Sequence, residues 1–407
     1  MRDAPLKTLT TFWSDPARRT VLLLAIAQAS FMSVQSAGIA TTPLAGHMLL
    51  TLDKQWATLP VFLTHLGIMA TTVPASFLMK RIGRRGGFSI GAMIGIASGL
   101  VSTLAIYQQS FSLLCVGAFA QGMAAAFAWY FRFAAAEVAD EAFKPKAISL
   151  VMAGGLVAGL LGPQVAKDAL NWLAPVTFAG IYVMIALFSA AVLVIVQGLK
   201  IPQPSAEERE GKGRPLSVII REPRFITALT SSMFGYAVMT LIMASSPLAM
   251  LACGFGFADS ASVIQVHVVA MFAPAFFTGH LITRFGVLPV IATGALLQAL
   301  CAVVHLAGIA FENFFAGLAL LGLGWSFTFI GGTTLLTSVY SPQEKAKVQA
   351  AHDFAVYGAT AAAAAAAGFM SHQAGWAAIN IAALPLMALV IGATLWLGYR
   401  QSRRAPA

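Results

Sequence analysis

Long apolar runs dominate this chain of 407 residues and limit what it can fold into. A helix of about 20 apolar residues crosses a hydrocarbon core of about 30 Å, and it closes all its backbone hydrogen bonds internally. Only 10% of the residues are charged, whereas soluble domains carry about 25%. The pattern predicts an all-α membrane protein with twelve transmembrane helices. The predicted spans are residues 20–46, 56–79, 88–108, 111–133, 147–168, 175–197, 225–250, 260–282, 287–308, 313–338, 347–370 and 375–399.

The positions of Lys and Arg predict the orientation of these spans. With both termini in the cytoplasm, all but Lys54 and Lys167 of the 25 basic residues fall in cytoplasmic segments. Short basic loops stay cytoplasmic, so this topology explains the net charge of +10 without any nucleic acid partner. We therefore expect a multi-pass protein of the bacterial inner (cytoplasmic) membrane, with the lipid bilayer as its surroundings.

A polar stretch and a repeated loop divide the chain into two halves. Residues 200–224 are rich in Pro, Gly and mixed charges, which is typical of a linker. Residues 80–85 read Lys-Arg-Ile-Gly-Arg-Arg after the second span, and residues 283–286 read Thr-Arg-Phe-Gly after the eighth, 203 positions later. This repeat predicts two pseudo-symmetric six-helix bundles, residues 1–199 and 225–407, joined by a cytoplasmic linker.

These two loops resemble the signature of the major facilitator superfamily, which reads Gly-x-Leu-x-Asp-Arg-x-Gly-Arg-Lys between helices 2 and 3. The first copy keeps Leu78, Arg81 and Gly83 but has Lys80 at the acidic position, and the second copy has Thr283 there. The resemblance covers essentially the whole chain. It implies two bundles that rock around a substrate site near the bilayer midplane.

Two spans carry sulfur and imidazole groups at helical spacing. Met239 and Met243 form Met-x-x-x-Met in the seventh span, and His267 and Met271 form His-x-x-x-Met in the eighth. A rise of 1.5 Å per residue places these side chains at similar depth. Thioethers with an imidazole select copper, above all the cuprous ion, although methionine is also a common packing residue. A histidine inside a membrane helix is costly and is by default a functional hypothesis.

A second His-x-x-x-Met pair stands 202 positions earlier, at His65 and Met69. Because it occupies the same place in the first half, we consider it a second metal site, the alternative being a histidine bonded to a neighbouring helix. Polarisable donors near the outer surface could form an entry site for the metal together with His65 and Met69. One of these donors, Cys253, could equally be a free thiol without a metal role. These donors are His47, Met48 and Cys253.

The paired motifs in helices 7 and 8 resemble those of the CcoA-type copper importers, a branch of the superfamily. The resemblance implies that Met239, Met243, His267 and Met271 bind copper as the transported substrate, with no resident cofactor. Members of that branch supply copper for haem-copper cytochrome oxidase assembly, which implies a cytoplasmic copper chaperone or exporter downstream. A related branch without these motifs includes riboflavin importers.

Several polar residues near the cytoplasmic side are candidates for gating or proton coupling. His352 and Asp353 stand side by side in the eleventh span and form either a proton site or a pair that closes an inner gate against Arg132 or Tyr130. We assign the same class of role to residues at the inner ends of other spans and to Tyr236, which lies on the same face of the seventh span as Met239 and Met243. This face is called the helix-7 stripe. The set is Tyr236, Arg132, Glu137, His352 and Asp353.

The sequence therefore favours a secondary transporter that imports copper by alternating access. The alternative is an importer of a small planar organic molecule such as riboflavin, stacked on aromatic side chains at Trp129, Tyr130, Trp325 and Phe327. An alternative of another class is a copper-sensing membrane receptor that does not transport. We do not expect an enzyme, because the chain shows no carboxylate constellation and no nucleophile with a base.

Overall fold

The computed structural model describes residues 15–50, 56, 59–203 and 213–403, and these residues are mostly helical. In the first half, the helices are α1 (Pro16–Leu49), α2 (Leu59–Tyr107), α3 (Phe111–Ala128), α4 (Phe131–Val138), α5 (Lys144–Ala169) and α6 (Ala179–Gln197). In the second half, they are α7 (Leu216–Ile219), α8 (Pro223–Ala252), α9 (Phe257–Phe272), α10 (Ala275–Phe285), α11 (Val287–Ala307), α12 (Phe311–Leu336), α13 (Lys345–Gln373) and α14 (Gly375–Ser402).

The predicted all-α membrane fold is confirmed. Seven helices in the described part of the chain are long and apolar enough to cross a membrane, or eight when the bent pair α9–α10 is counted as one span. The 49-residue α2 contains two of the predicted spans, because its backbone leaves the helical conformation at Gly83. With α3–α4 and α9–α10 each taken as one span, the helices cover the twelve predicted stretches.

The repeated loop has the same backbone geometry in both halves. Gly83 has φ 82° and ψ 164°, and Gly286 has φ 88° and ψ 162°. This region of backbone space is essentially restricted to glycine. A Cβ atom at Gly83 would also lie 2.6 Å from Oε1 of Gln203. Each glycine therefore permits the sharp reversal between two consecutive spans.

The chain divides into two compact units, residues 1–211 and 212–407. The division falls inside the predicted linker 200–224, of which residues 204–212 lie outside the described residues. The precise extents of the two predicted halves stay a prediction.

Small residues allow the helices of each unit to pack closely. In the first unit, a Cβ atom at Gly122 of α3 would lie 2.0 Å from the backbone oxygen of Thr64 in α2. In the second unit, α12 lies against α8, α9 and α11. The hydroxyl of Ser231 in α8 donates to the backbone oxygen of Thr328 in α12 over 2.8 Å. Such contacts compensate for the weak hydrophobic driving force between helices in lipid.

Candidate functional site

The stripe on α8 begins at Tyr236, which packs into an aromatic cluster. The ring centroid of Tyr236 lies 5.5 Å from that of Trp325 and 5.4 Å from that of Phe329, both on α12. One turn further along α8, Met239 is buried with 4% exposure, and Met243 is half-buried. The predicted stripe therefore faces protein along much of its length.

The imidazole of His267 is fully buried and is directed at α12. Its Nδ1 lies 2.9 Å from the backbone oxygen of Leu318. The two helices approach closely here, since a Cβ atom at Gly322 would lie 2.5 Å from the backbone oxygen of His267 and 2.9 Å from the backbone nitrogen of Met271. In the part of the chain that the structure describes, Nε2 of His267 has no hydrogen-bond partner. One ring nitrogen is thus hydrogen-bonded, and the other is buried without a partner among these residues.

The two soft-donor motifs meet the same helix. Trp325 of α12 contacts Tyr236 of α8 and, at a centroid distance of 5.6 Å, Phe272 of α9. Tyr236 is one turn from Met239, and Phe272 directly follows Met271, which is itself buried with 8% exposure. The structure therefore places α12 against both motif helices, a relationship that the spacing of the motifs did not reveal. Binding of copper by the four donors stays a prediction.

A donor set without methionine is not formed by the described residues. Among them, no group of three or more His, Cys, Asp or Glu side chains is arranged to hold a metal ion.

The aromatic residues of the organic-substrate hypothesis occupy different surroundings. Trp325 stacks on Phe329 with a centroid distance of 5.0 Å and an interplanar angle of 12°. Trp129 packs edge-on against Phe31, and the hydroxyl of Tyr130 donates to the backbone oxygen of Thr72 over 3.0 Å. The ring centroid of Phe327 lies 6.5 Å from that of Phe277. Of these four aromatic residues, Trp325 is therefore the one that belongs to the cluster around the α8 and α9 motifs.

His65 lines a pocket in the first unit that has both polar and apolar side chains in its walls. Its Nδ1 lies 3.0 Å from the backbone oxygen of Val61. Met69 is half-buried and is not among the described residues that line this pocket. Hydrogen-bonding side chains from four helices surround the pocket: Gln35, Thr42, Thr64, Ser98, Ser102, Gln121 and Tyr182.

Sequence reasoning missed this pocket. The available signal was the presence of hydroxyl and amide side chains within apolar spans, but their convergence depends on how α1, α2, α3 and α6 pack. The structure thus places His65 in a pocket that it shares with oxygen-bearing and apolar side chains, and the metal role predicted for His65 and Met69 stays a prediction.

Two of the other predicted entry residues are exposed. Met48 is 47% exposed, and Cys253 is an exposed free cysteine. The side chain of His47 lies outside the described residues. Their role in metal entry stays a prediction.

Two of the predicted gating residues, Arg132 and Glu137, lie on α4 of the first unit. Arg84 and Glu137 form an ion pair of 2.6 Å in which the Arg84 side chain is 6% exposed. The guanidinium of Arg84 also lies over the ring of Tyr130, 5.3 Å from its centroid. Arg132 is buried and donates to the backbone oxygen of Trp129 over 2.7 Å. These contacts hold the end of α4 against the loop at Gly83.

His352 and Asp353 bond to each other. Nδ1 of His352 lies 2.7 Å from Oδ1 of Asp353, and both side chains are fully buried. This pair is on α13, which packs against α8. One turn further along α13, the ring centroid of Tyr357 lies 6.1 Å from that of Tyr236. The gating or proton-coupling role of the pair stays a prediction.

Sequence reasoning also missed an ion-pair network at the end of the second unit where α13 begins. Arg214 donates from its side chain to both carboxylate oxygens of Glu344, at 2.8 and 2.7 Å, and also pairs with Glu222. The Arg214 guanidinium holds the pKa of the Glu344 carboxyl well below its usual range, assisted by the backbone N–H of Ser341. This network fastens the end of the linker to the start of α13.

Known proteins resemble this chain over nearly its whole length. The sequence profile of the Major Facilitator Superfamily matches residues 21–304 and 266–407. The chain is 39% identical over 377 residues to the riboflavin transporter RfnT of Brucella anthropi, covering 92% of this chain and 94% of that protein.

Solved structures share the fold. The E. coli fucose:proton symporter FucP is 16% identical with a TM-score of 0.76, covering 94% of this chain and 99% of that chain. A bacterial homologue of the iron transporter ferroportin, in the outward-facing state, is 14% identical with a TM-score of 0.72, covering 93% and 99%. Since a family profile and a relative of 39% identity both span most of the sequence, the chain belongs to the major facilitator superfamily of secondary transporters.

Proposed function

We propose that this transporter imports a small organic molecule of the flavin type across the bacterial inner membrane, with both termini in the cytoplasm. The observation that carries the proposal is the 39% identity to a riboflavin transporter over nearly the full length of both proteins. This revises the order of the two hypotheses drawn from the sequence, in which copper came first.

The described aromatic residues are compatible with a planar cargo. Tyr236, Phe272, Trp325, Phe329 and Tyr357 form one continuous cluster across α8, α9, α12 and α13. Aromatic faces bind planar rings by offset or edge contacts at centroid distances of about 4.5–7 Å. Alternating access would require part of this cluster to open towards the cargo.

Copper import is the second candidate, and one observation favours it. His267 has Nδ1 held by Leu318 while its buried Nε2 has no partner among the described residues. Metal-binding histidines are commonly oriented in this way, by a backbone carbonyl that holds the other ring nitrogen. Under this candidate, Met239, Met243 and Met271 supply the sulfur donors, and a cytoplasmic chaperone receives the ion.

The two candidates are separated by measuring both uptakes in the same cells. Radioactive riboflavin and radioactive copper are supplied to bacteria that lack their own importers and express the wild type or a triple variant, Met239→Leu, Met243→Leu, His267→Leu. The flavin proposal expects riboflavin uptake by the wild type and no copper uptake above the empty vector. Copper uptake by the wild type that the triple variant loses would instead establish the second candidate.

Matched control substitutions exclude a general effect of losing methionine or histidine. Met93 is 50% exposed, and His280 is exposed on α10. The variants Met93→Leu and His280→Leu are expected to keep the wild-type uptake of either substrate. Absence of riboflavin uptake by the wild type, with normal protein levels in the membrane, would refute the flavin proposal.

A further inference from the structure

The exposed face of α14 changes from apolar to basic towards the end of the helix. Leu389 is 55% exposed, and Trp396 and Tyr399 follow with exposures of 37% and 55%. Arg400 and Arg403 are exposed at the end of the helix. Spacings of three, four and seven residues place these side chains on one face. The exposed apolar side of a membrane helix thus continues directly into two arginines.

This change takes place over a distance that suits the edge of a bilayer. With a rise of about 1.5 Å per residue, Arg400 lies about 6 Å beyond Trp396 along the helix axis, and Arg403 lies about 10 Å beyond it. A hydrocarbon core is about 30 Å thick, and the headgroup regions bring the total to about 40–45 Å. Tryptophan and tyrosine are enriched at the boundary between the two regions. With Trp396 at that boundary, both guanidinium groups lie at the level of the lipid headgroups.

Aromatic rings hold the two guanidinium groups in place. Cζ of Arg400 lies 4.7 Å from the ring centroid of Trp396, and Cζ of Arg403 lies 4.6 Å from that of Tyr399. Each arginine stands one helical turn beyond its ring, so the two contacts repeat the same geometry. A guanidinium that lies over a ring keeps the N–H groups at its edge for another partner. Both arginines are therefore preorganised to donate hydrogen bonds.

A third arginine with the same kind of contact lies at this end of the second unit. Arg284 is in the last turn of α10, and its Cζ lies 5.2 Å from the ring centroid of Phe285, which is 57% exposed. The segment that follows lies beside α14, because a Cβ atom at Gly398 would lie 3.9 Å from Cδ1 of Leu288. Two separate segments thus bring arginines that lie over aromatic rings to the same end.

The acidic residues of the second unit are engaged elsewhere. Residues 213–403 contain five of them. Two pair with Arg214, one bonds to His352, and two lie in the first turns of α9 and α12, which begin at the opposite end of the unit. In that order, they are Glu222, Glu344, Asp353, Asp259 and Glu312. Within the described residues, no ion pair joins a carboxylate to Arg284, Arg400 or Arg403.

The surroundings of these three arginines are positively charged. The hydroxyl of Thr227 donates to the backbone oxygen of Ala393 over 3.2 Å, so α8 begins beside the end of α14. Guanidinium groups match phosphate oxygens with paired hydrogen bonds, and basic residues beside membrane helices attract anionic lipids. All eight basic residues of 213–403 are in segments at this end: Arg214, Arg221, Arg224, Arg284, Lys345, Lys347, Arg400 and Arg403.

We propose that Arg400 and Arg403, flanked by Arg284, bind the phosphate group of an anionic phospholipid. Trp396 and Tyr399 hold the guanidinium groups and pack against the part of the lipid next to its headgroup. A lipid fits better than a free phosphate ion, because the same face of α14 continues from the arginines to exposed apolar residues such as Leu389. The site belongs to the second unit alone and does not depend on which cargo the protein carries.

The direct test uses the purified protein in detergent without any cargo. Thermal unfolding is measured after addition of phosphatidylglycerol, which is anionic, or phosphatidylcholine, which is zwitterionic, at equal mole fraction. Because a ligand that binds the folded state stabilises it, phosphatidylglycerol is expected to raise the Tm of the wild type by about 2–4 °C more than phosphatidylcholine does. Sodium phosphate at the same concentration is expected to give no increment. About 1 M sodium chloride is expected to reduce the increment by screening.

Variants locate the effect. The double variant Arg400→Gln, Arg403→Gln is expected to lose most of the increment, and Trp396→Leu, which stays apolar but lacks the ring, about half of it. The matched control is Arg19→Gln, Arg81→Gln, which removes the same charge from two exposed arginines of the first unit and should keep the wild-type increment. The comparison uses the difference between the two lipids within each variant, so a general loss of stability does not affect it.

Mass spectrometry of the protein with its bound lipids provides the second measurement. From an equimolar mixture of the two lipids, the wild type and the control are expected to retain more phosphatidylglycerol per chain than the Arg400 and Arg403 double variant. The proposal is overturned when the two lipids raise the Tm of the wild type equally, when free phosphate reproduces the increment, or when the double variant and the control respond alike. Each outcome is independent of riboflavin uptake, so the failure of one proposal is distinguishable from the failure of the other.

Discussion

Nδ1 of His267 in α9 donates a hydrogen bond of 2.9 Å to the backbone oxygen of Leu318 in α12. A carbonyl can only accept, so Nδ1 carries a hydrogen, and in the neutral imidazole Nε2 then carries the lone pair. The contact fixes the plane of a buried imidazole and joins two helices at the point where Gly322 lets their backbones approach. His267 therefore contributes to packing whichever cargo the transporter carries.

Replacing His267 tests this packing role. In His267→Leu the interhelical hydrogen bond is lost, and we expect a loss of about 1–3 kcal/mol of stability. The measurement is thermal unfolding of the purified protein in detergent. His280→Leu, at an exposed position on α10, should melt like the wild type. An unchanged Tm for His267→Leu would show that the hydrogen bond to Leu318 adds no net stability.

The two loop glycines should not tolerate a side chain. We expect Gly83→Ala and Gly286→Ala each to lose about 1–3 kcal/mol, because alanine is strained at their φ and ψ values. The two variants should lose similar amounts, because the atom nearest a Cβ at Gly83 is the end of the flexible Gln203 side chain, which can move aside, and the nearest atom at Gly286 is 3.9 Å away.

Gly392→Ala provides the control for these two variants. Gly392 lies within α14, and a Cβ atom there meets nothing within 4 Å. The change should leave stability equal or higher by up to about 1 kcal/mol, because alanine favours helix. Equal Tm values for the three glycine variants would contradict the argument from backbone geometry.

The ion pair between Arg84 and Glu137 in the first unit requires arginine. Arg84 reaches Glu137 through both Nε and a terminal nitrogen, and lysine cannot reproduce this fork. We expect Arg84→Lys to cost about 1.5–3 kcal/mol, the range for hydrogen bonds to charged groups. Arg85→Lys changes an exposed residue that bonds to Gln197 and should alter the Tm little. Equivalent melting of the two lysine variants would argue against a stabilising role for Arg84 and Glu137.

The pair between Arg214 and Glu344 predicts a pH dependence of stability. The folded pKa of Glu344 is depressed, chiefly by its hydrogen bond to Arg214. Its contribution is therefore fully present above the ordinary Glu pKa of about 4.3 and is lost as pH falls through the lower folded value. We expect the wild type to melt above Glu344→Gln at pH 7, by the equivalent of about 1.5–3 kcal/mol.

The check is a series of melting curves of both proteins from pH 7 down to the lowest pH at which unfolding is reversible. The difference in Tm between the wild type and Glu344→Gln should narrow below about pH 4.3. A difference that stays constant over the whole range would exclude the ionised Glu344 carboxylate as its source.

Much of the fold was predictable because the bilayer imposes rules that act on local sequence. Apolar length gave the spans, the distribution of Lys and Arg predicted the topology, and the repeated glycine at 83 and 286 marked the reversals. The site was less predictable. Spacing identified the stripe from Tyr236 to Met243 and the pair His267 and Met271, but it gave no information about the partners of these side chains.

The sequence by itself determined the twelve spans, the two related halves and the chemical character of each stripe, since hydrophobic length and helical period are properties of contiguous residues. Tertiary structure decided that Trp325 joins the stripes of α8 and α9, that His267 is held by Leu318, and that Ser98 and Gln121 meet in one pocket. In lipid, the neighbours of each helix are determined by close packing of small residues and by interhelical hydrogen bonds. Those contacts link positions far apart in the chain, so no local pattern records them.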